Sequence, residues 1–212
     1  MHKLFLSLTL IVCSASLSLA QGGDDYPKVE VFGGYSYNSV DTNICDADPD
    51  FFRGFVDERT GFNGFNASVT RNISRYVGLK FDFSGHYNTR NVRFGNNNPL
   101  EVESSLYNFL GGVQLKNNSK RATFKPFVLA LVGAARGRHE VDDVVCVQAV
   151  GAPCPTDING SDVGLAGAVG GGLDIRASRR VDIRAFQVDY NPARLFDATR
   201  HNVRFGVGIV IH

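Results

Sequence analysis

The chain has 212 residues, 43% hydrophobic and 20% charged, a balance that excludes disorder and coiled coil and leaves one or two globular domains. Lys and Arg number 22 against 21 Asp and Glu, so no basic excess points to nucleic acid. The 16 Phe, 7 Tyr and 23 Gly beside 1 Met and no Trp favour strands and turns over helices.

Residues 1–20 read as a secretory signal: His2 and Lys3 precede the apolar run from Leu4 to Val12, and Ser18 and Ala20 are the small residues that cleavage requires. The mature domain is then 21–212. Lipid attachment at Cys13 is the poorer alternative, because Val12 is bulkier than the residue such a site takes. Export places Cys45, Cys146 and Cys154 in an oxidising compartment.

From there the chain follows a period of two. Val29, Val31, Gly33, Tyr35 and Tyr37 share a face in the first strand, and Phe65, Ala67 and Val69 in the second. The third, Tyr76 to Thr89, sets Val77, Leu79, Phe81, Phe83, Gly85 and Tyr87 against Gly78, Lys80, Asp82, Ser84, His86 and Asn88. Tyr107 to Leu115 is the fourth. The fifth, Phe124 to Ala135, is apolar on both faces and contains Pro126, which leaves its register open. Val163 to Ile175 is the sixth. The seventh, Val181 to Tyr190, changes face near Arg184, where a bulge reconciles Val181 and Ile183 with Phe186, Val188 and Tyr190. The eighth carries Val203, Phe205, Val207, Ile209 and Ile211 to the end of the sequence.

Connections alternate in length. Asn72 to Arg75, Asn117 to Arg121 and Ser178 to Arg180 read as tight polar turns, whereas 40–61, 90–103, 138–161 and 191–200 read as long loops. An even strand count with short turns at one end and long loops at the other predicts an all-β fold: an eight-stranded antiparallel up-and-down transmembrane β-barrel with short periplasmic turns and long extracellular loops. Tyr35, Tyr37, Phe62, Tyr76, Tyr87, Tyr107, Phe124 and Tyr190, near strand ends, are the expected aromatic girdles. Alternation alone does not say which face points inward. A soluble lipocalin-like barrel with a hydrophobic ligand is therefore the alternative, although the early Trp and trailing helix usual there are missing.

The segments VEVFGGYSY (29–37), VGLKFDFSGHY (77–87), FLGGVQL (109–115), GGGLDIR (170–176) and HNVRFGVGIVIH (201–212) together resemble the outer-membrane β-barrel domain family, the eight-stranded OmpA-like and OmpX-like porin-type proteins. The resemblance spans nearly the whole mature chain. It implies localisation in the bacterial outer membrane, with membrane lipid and the barrel-assembly machinery as partners. The last strand resembles the signal that this machinery reads, except that it closes on His212 rather than an aromatic residue.

Eight strands enclose a lumen that side chains fill, so a diffusion porin is not expected. The polar face supplies Glu30, Lys80, Asp82, His86, Asp174, Arg176, Asp189 and Arg204, charges that must pair in a closed barrel. A fixed salt-bridge network is the first reading and a small gated pore the alternative. No cofactor or metal site and no catalytic residue is assigned. Ser84 and His86 share a strand face but read as packing partners rather than nucleophile and base. His139 with Glu140, Asp142 and Asp143 reads as a solvated acidic loop rather than a metal site. Cys146 and Cys154 are the candidate disulfide, with Cys45 leaving other pairings open. The expected function is that of a non-enzymatic envelope protein whose loops, 40–61 and 138–161 above all, bind a surface or host ligand.

Overall fold

The structure, a computed structural model, describes residues 26–41, 59–92, 100–119, 121–142 and 160–212. The signal segment and Cys45, Cys146 and Cys154 lie outside these residues, as does Asp143.

The strands are β1 (Val29–Asp41), β2 (Arg59–Asn72), β3 (Val77–Val92), β4 (Leu100–Lys116), β5 (Phe124–Asp142), β6 (Gly160–Arg176), β7 (Val181–Leu195) and β8 (Ala198–Ile211). Each pairs antiparallel with the next, and β1 pairs with β8 from Val31↔Ile211 to Ser39↔Val203, closing the barrel in sequential order. Closure satisfies the edge hydrogen bonds that an open sheet would leave bare.

Strict alternation sorts the side chains. Phe81 and Leu165 on the outer face are 73% and 69% exposed, whereas Lys80 and Asp82, the strand neighbours of Phe81, are buried. This is the reverse of a water-soluble protein and removes the lipocalin-like alternative, which needs its apolar faces inside. On β5 the outer face is apolar from Phe124 to Ala134 and turns charged at Arg136. Ten residues at about 3.3 Å rise, tilted by about 40°, cover about 25 Å, the height of a membrane barrel's apolar band. Strands of 13 to 19 residues therefore run beyond the band at the loop end.

The same arithmetic explains two corrections. The segment 191–200 is not a long loop, because β7 and β8 pair down to Leu195↔Ala198 and turn through Phe196 and Asp197 alone, both with positive φ. Above the band, outward positions such as Arg194 and Thr199 need not be apolar, so alternation fades although the hairpin continues. Phe62 is not a girdle residue. It is inward on β2 and 4% exposed, packed with Val40, Leu106 and Leu195 near the loop end of the lumen. Tyr37, Tyr87, Tyr107 and Tyr190 border the band toward the loop end, and Tyr76 and Phe124 toward the turn end. The Tyr107 hydroxyl donates to that of Tyr87 at 3.0 Å.

β5 is apolar on both faces because its inward Phe127, Leu129, Leu131 and Ala135 form an apolar wall with Leu110 and Ala168, while Val128 and Val132 face outward. The bulge in β7 falls where the faces change: Leu173 pairs with Phe186 and Asp174 with Arg184, leaving Ala185 unpaired. Arg184 and Gln187 both point inward as a result. Glycine faces the lumen where a neighbouring strand leaves no room for a side chain. A β-carbon on Gly34 would run into the carbonyl oxygen of Val207 across the β1–β8 seam.

Candidate functional site

The lumen is a closed electrostatic unit. Among the described residues, its buried cations are Lys80, Lys116, Lys125, Arg184 and Arg204, and its buried carboxylates are Glu30, Asp82, Asp174, Asp182 and Asp189, five against five. Isolated charges in this interior would each cost several kcal/mol, on the order of the stability of a domain, so neutrality has to be met pair by pair.

A continuous chain of contacts does so for Arg204, Arg184 and Lys116. Arg204 on β8 reaches Asp82 on β3 through Nη1 at 2.7 Å and Asp189 on β7 through Nη2 at 2.7 Å and Nε at 3.0 Å. Gln187 donates to Asp189 at 2.6 Å and accepts from Arg184 at 2.6 Å. Arg184 then grips Asp174 through Nε at 2.7 Å and Nη2 at 3.1 Å. Lys116 on β4 joins Asp174 at 3.1 Å to Glu30 on β1 at 2.5 Å, and Asn72 donates to Glu30 at 3.3 Å. Lys125 and Asp182 form a separate pair at 2.7 Å nearer the turn end. The guanidinium of Arg184 lies against the rings of Phe32 and Phe127, 4.2 and 4.3 Å from their centroids.

The expected residues thus take different places. Glu30, Asp82, Asp174, Asp189 and Arg204 belong to this chain. Lys80 donates to Gln114 at 3.3 Å and faces the same two rings from about 6 Å, while Asp82 pairs with Arg204 instead. Arg176 is half-buried at the turn-end mouth, where it lines a cavity of about 520 Å³ with Lys125, Ser178, Arg179 and His212. Burial pushes the His212 imidazole below its usual range, against the pull of Asp182. His86 meets Ser36 at 2.9 Å, and Ser84 accepts from Arg204 and Asn108, so the two do not form a nucleophile–base pair.

Sequence reasoning missed Arg184, Gln187, Lys116, Lys125 and Asp182. Lys116 carries the inward parity of Gln114 one residue beyond the run Tyr107–Leu115, and extending that run would have found it, whereas Lys125 lies within Phe124–Ala135, whose register the sequence leaves open. Arg184 and Gln187 stand on either side of the bulge, where parity alone cannot assign both.

At the loop end, Ser104 and His139 on paired positions of β4 and β5 meet at 2.8 Å, and the His139 ring lies 5.4 Å from that of Phe196. His139 and Phe196, with Val40, Phe62, Leu106 and Leu195, line a cavity of about 30 Å³, room for about one water molecule. Glu103 and Glu140 are paired positions above them. No group of three or more His, Cys, Asp or Glu able to hold a metal occurs among the described residues.

No protein-family model matches the chain, and no curated protein matches it either. Solved structures do. The crystal structure of Ail, the attachment invasion locus protein of Yersinia pestis, in complex with the heparin analogue sucrose octasulfate, is 15% identical with a TM-score of 0.53, covering 86% of this chain and 97% of that one. Neisserial surface protein A is 10% identical with a TM-score of 0.51, covering 89% and 99%. The chain has the fold of these eight-stranded outer-membrane barrels.

Proposed function

We propose that this chain is an integral, non-enzymatic protein of the bacterial outer membrane, exported by the signal at 1–20 and inserted with its turns in the periplasm and its loops outside. Lipid solvates the outer face, and the barrel-assembly machinery inserts the chain by reading its last strand. Glu30, Lys80, Asp82, His86, Asp174, Arg176, Asp189 and Arg204 serve the barrel as structural lumenal groups, and segments 40–61 and 138–161 carry the binding activity. One observation carries the reading: an exposed apolar belt about a membrane thick around a buried, charge-balanced interior, an arrangement stable only in lipid.

The loop sequences define the partner's chemistry. Segment 40–61 holds Asp41, Asp46, Asp48, Asp50, Asp57 and Glu58 against Arg53 and Arg59, and 138–161 holds Glu140, Asp142, Asp143 and Asp157 against Arg138. Acidic loops favour a cationic partner surface and disfavour a sulfated ligand such as the sucrose octasulfate in the Ail complex. The small-pore reading is disfavoured by Arg184, packed against Phe32 and Phe127.

The test deletes each loop separately in the folded protein. Unboiled samples that migrate differently from boiled ones certify the barrel. Cells displaying the full chain should retain a polylysine-coated surface and release it at high salt. Equal retention by both deletion variants would end the reading.

A further inference from the structure

The turn end of the barrel is rimmed with cations. At the turn end, Lys28, Arg71, Arg75, Arg121, Arg179 and Arg180 are all exposed, and they are spread over the start of β1, the end of β2 and the three turns 73–76, 117–123 and 177–180. Every described acidic side chain at that end, Glu30, Asp174 and Asp182, is buried in the lumen and paired to an internal cation. The lumenal network is balanced without the rim cations, which are exposed.

From this we infer that the turn-end rim is a docking ring for anionic phospholipid headgroups of the leaflet it borders. The inference rests on the membrane orientation proposed above. Three observations favour lipid over the acidic polymer of the cell wall. Arg71 lies on the outer face of β2, level with Val29 and Leu79 and two residues from the exposed Val69, so it faces sideways at the lower edge of the apolar belt. Ile73 and Tyr76 are exposed apolar residues in the same turn as Arg75, a mixture that belongs at the boundary between acyl chains and headgroups. The guanidinium of Arg75 lies 5.5 Å from the Tyr76 ring centroid, and Lys28 Nζ 4.6 Å from that of Tyr26, so both cations are held beside amphipathic rings at that level. A polymer lying beneath the membrane would be met from below, not from the side.

The chemistry is that of a phosphodiester. Guanidinium groups bind its oxygens by paired hydrogen bonds, and each cation close to an anionic leaflet raises affinity by about fivefold at ordinary ionic strength.

The experiment uses the full mature chain folded in micelles, titrated separately with phosphatidylglycerol and phosphatidylcholine, with retained lipid counted by native mass spectrometry. The wild type should retain phosphatidylglycerol in preference, and 0.5 M salt should abolish the preference. Arg71→Gln, Arg121→Gln and Arg179→Gln should each weaken retention by about fivefold, and the triple variant should lose it. Arg136→Gln with Arg138→Gln, at the opposite end, should leave it unchanged. Equal retention of the two lipids by a barrel that still shows separate boiled and unboiled mobilities overturns the inference while the membrane reading stands. A wild type that fails to enter micelles or vesicles overturns both. Sedimentation with isolated peptidoglycan that disappears in the triple variant, without a lipid preference, assigns the ring to the cell wall instead and likewise overturns it.

Discussion

Replacing Arg204 by methionine isolates the physics of the lumen. The side chain is almost completely buried and spans from Asp82 to Asp189, each 2.7 Å away, with a further bond to Ser84 at 3.1 Å. Methionine preserves most of the stem's volume, so the loss is chiefly electrostatic: two carboxylates remain buried with one cation fewer. Removing one member of a buried ion pair costs about 3–5 kcal/mol, and the doubly bonded Asp189 places Arg204→Met toward the upper end, about 5 kcal/mol. The assay is urea unfolding in lipid vesicles, with the folded fraction read from the mobility of unboiled samples. Adding Asp189→Asn restores a balance of four cations to four carboxylates, and Asp82 keeps the amide of Asn66 at 2.9 Å. This double variant should recover at least half of the loss. If it is as unstable as the single variant, or the single variant loses less than about 1 kcal/mol, paired charge is not what holds the lumen together.

Three further expectations follow from named contacts. Arg184→Ala empties the space beside Phe32 and Phe127 and should turn a silent barrel into one with discrete conductance steps in planar bilayers; continued silence would show that the apolar wall of β5 closes the lumen unaided. Gly34→Ala pushes a methyl group into the Val207 carbonyl across the closing seam and should cost about 1–3 kcal/mol, whereas Gly33→Ala, with open space outside, should cost far less; equal urea midpoints for the two would contradict the packing argument. Asp197→Gly relieves a positive φ in the two-residue β7–β8 turn and should stabilise the barrel by about 1 kcal/mol, and an unchanged urea midpoint would show that the turn is unstrained.

The strands were legible because a membrane barrel writes its fold with a period of two. Phe81 and Asp82 cannot exchange faces without moving a charge into lipid, so the parity of β3 is fixed within a few residues. The bulge near Arg184 was legible for the same reason, since one extra residue is the least change that reconciles Ile183 with Phe186. Legibility ended where the constraint ended. Above the belt, Arg194 and Thr199 meet water, polarity stops reporting orientation, and a two-residue hairpin looked like a long loop. Phe62 shows the converse limit: an aromatic near a strand end suits a girdle by composition, but its inward parity seats it against Leu106.

For the lumen, alternation specified the inward side chains within regular runs such as β3, though not around the bulge of β7, and it required their charges to cancel, because burial makes an unpaired charge untenable. It did not specify the pairs. Asp82 is two residues from Lys80 and 122 residues from Arg204, yet it bonds to Arg204. Closure brings β3 opposite β8 across a narrow lumen, while Lys80 is turned toward Gln114 and the Phe32 and Phe127 rings. One chain's alternation determines a side chain's face, a local property of the backbone. Its partner depends on the stagger and curvature of all eight strands at once, which only the closed barrel decides.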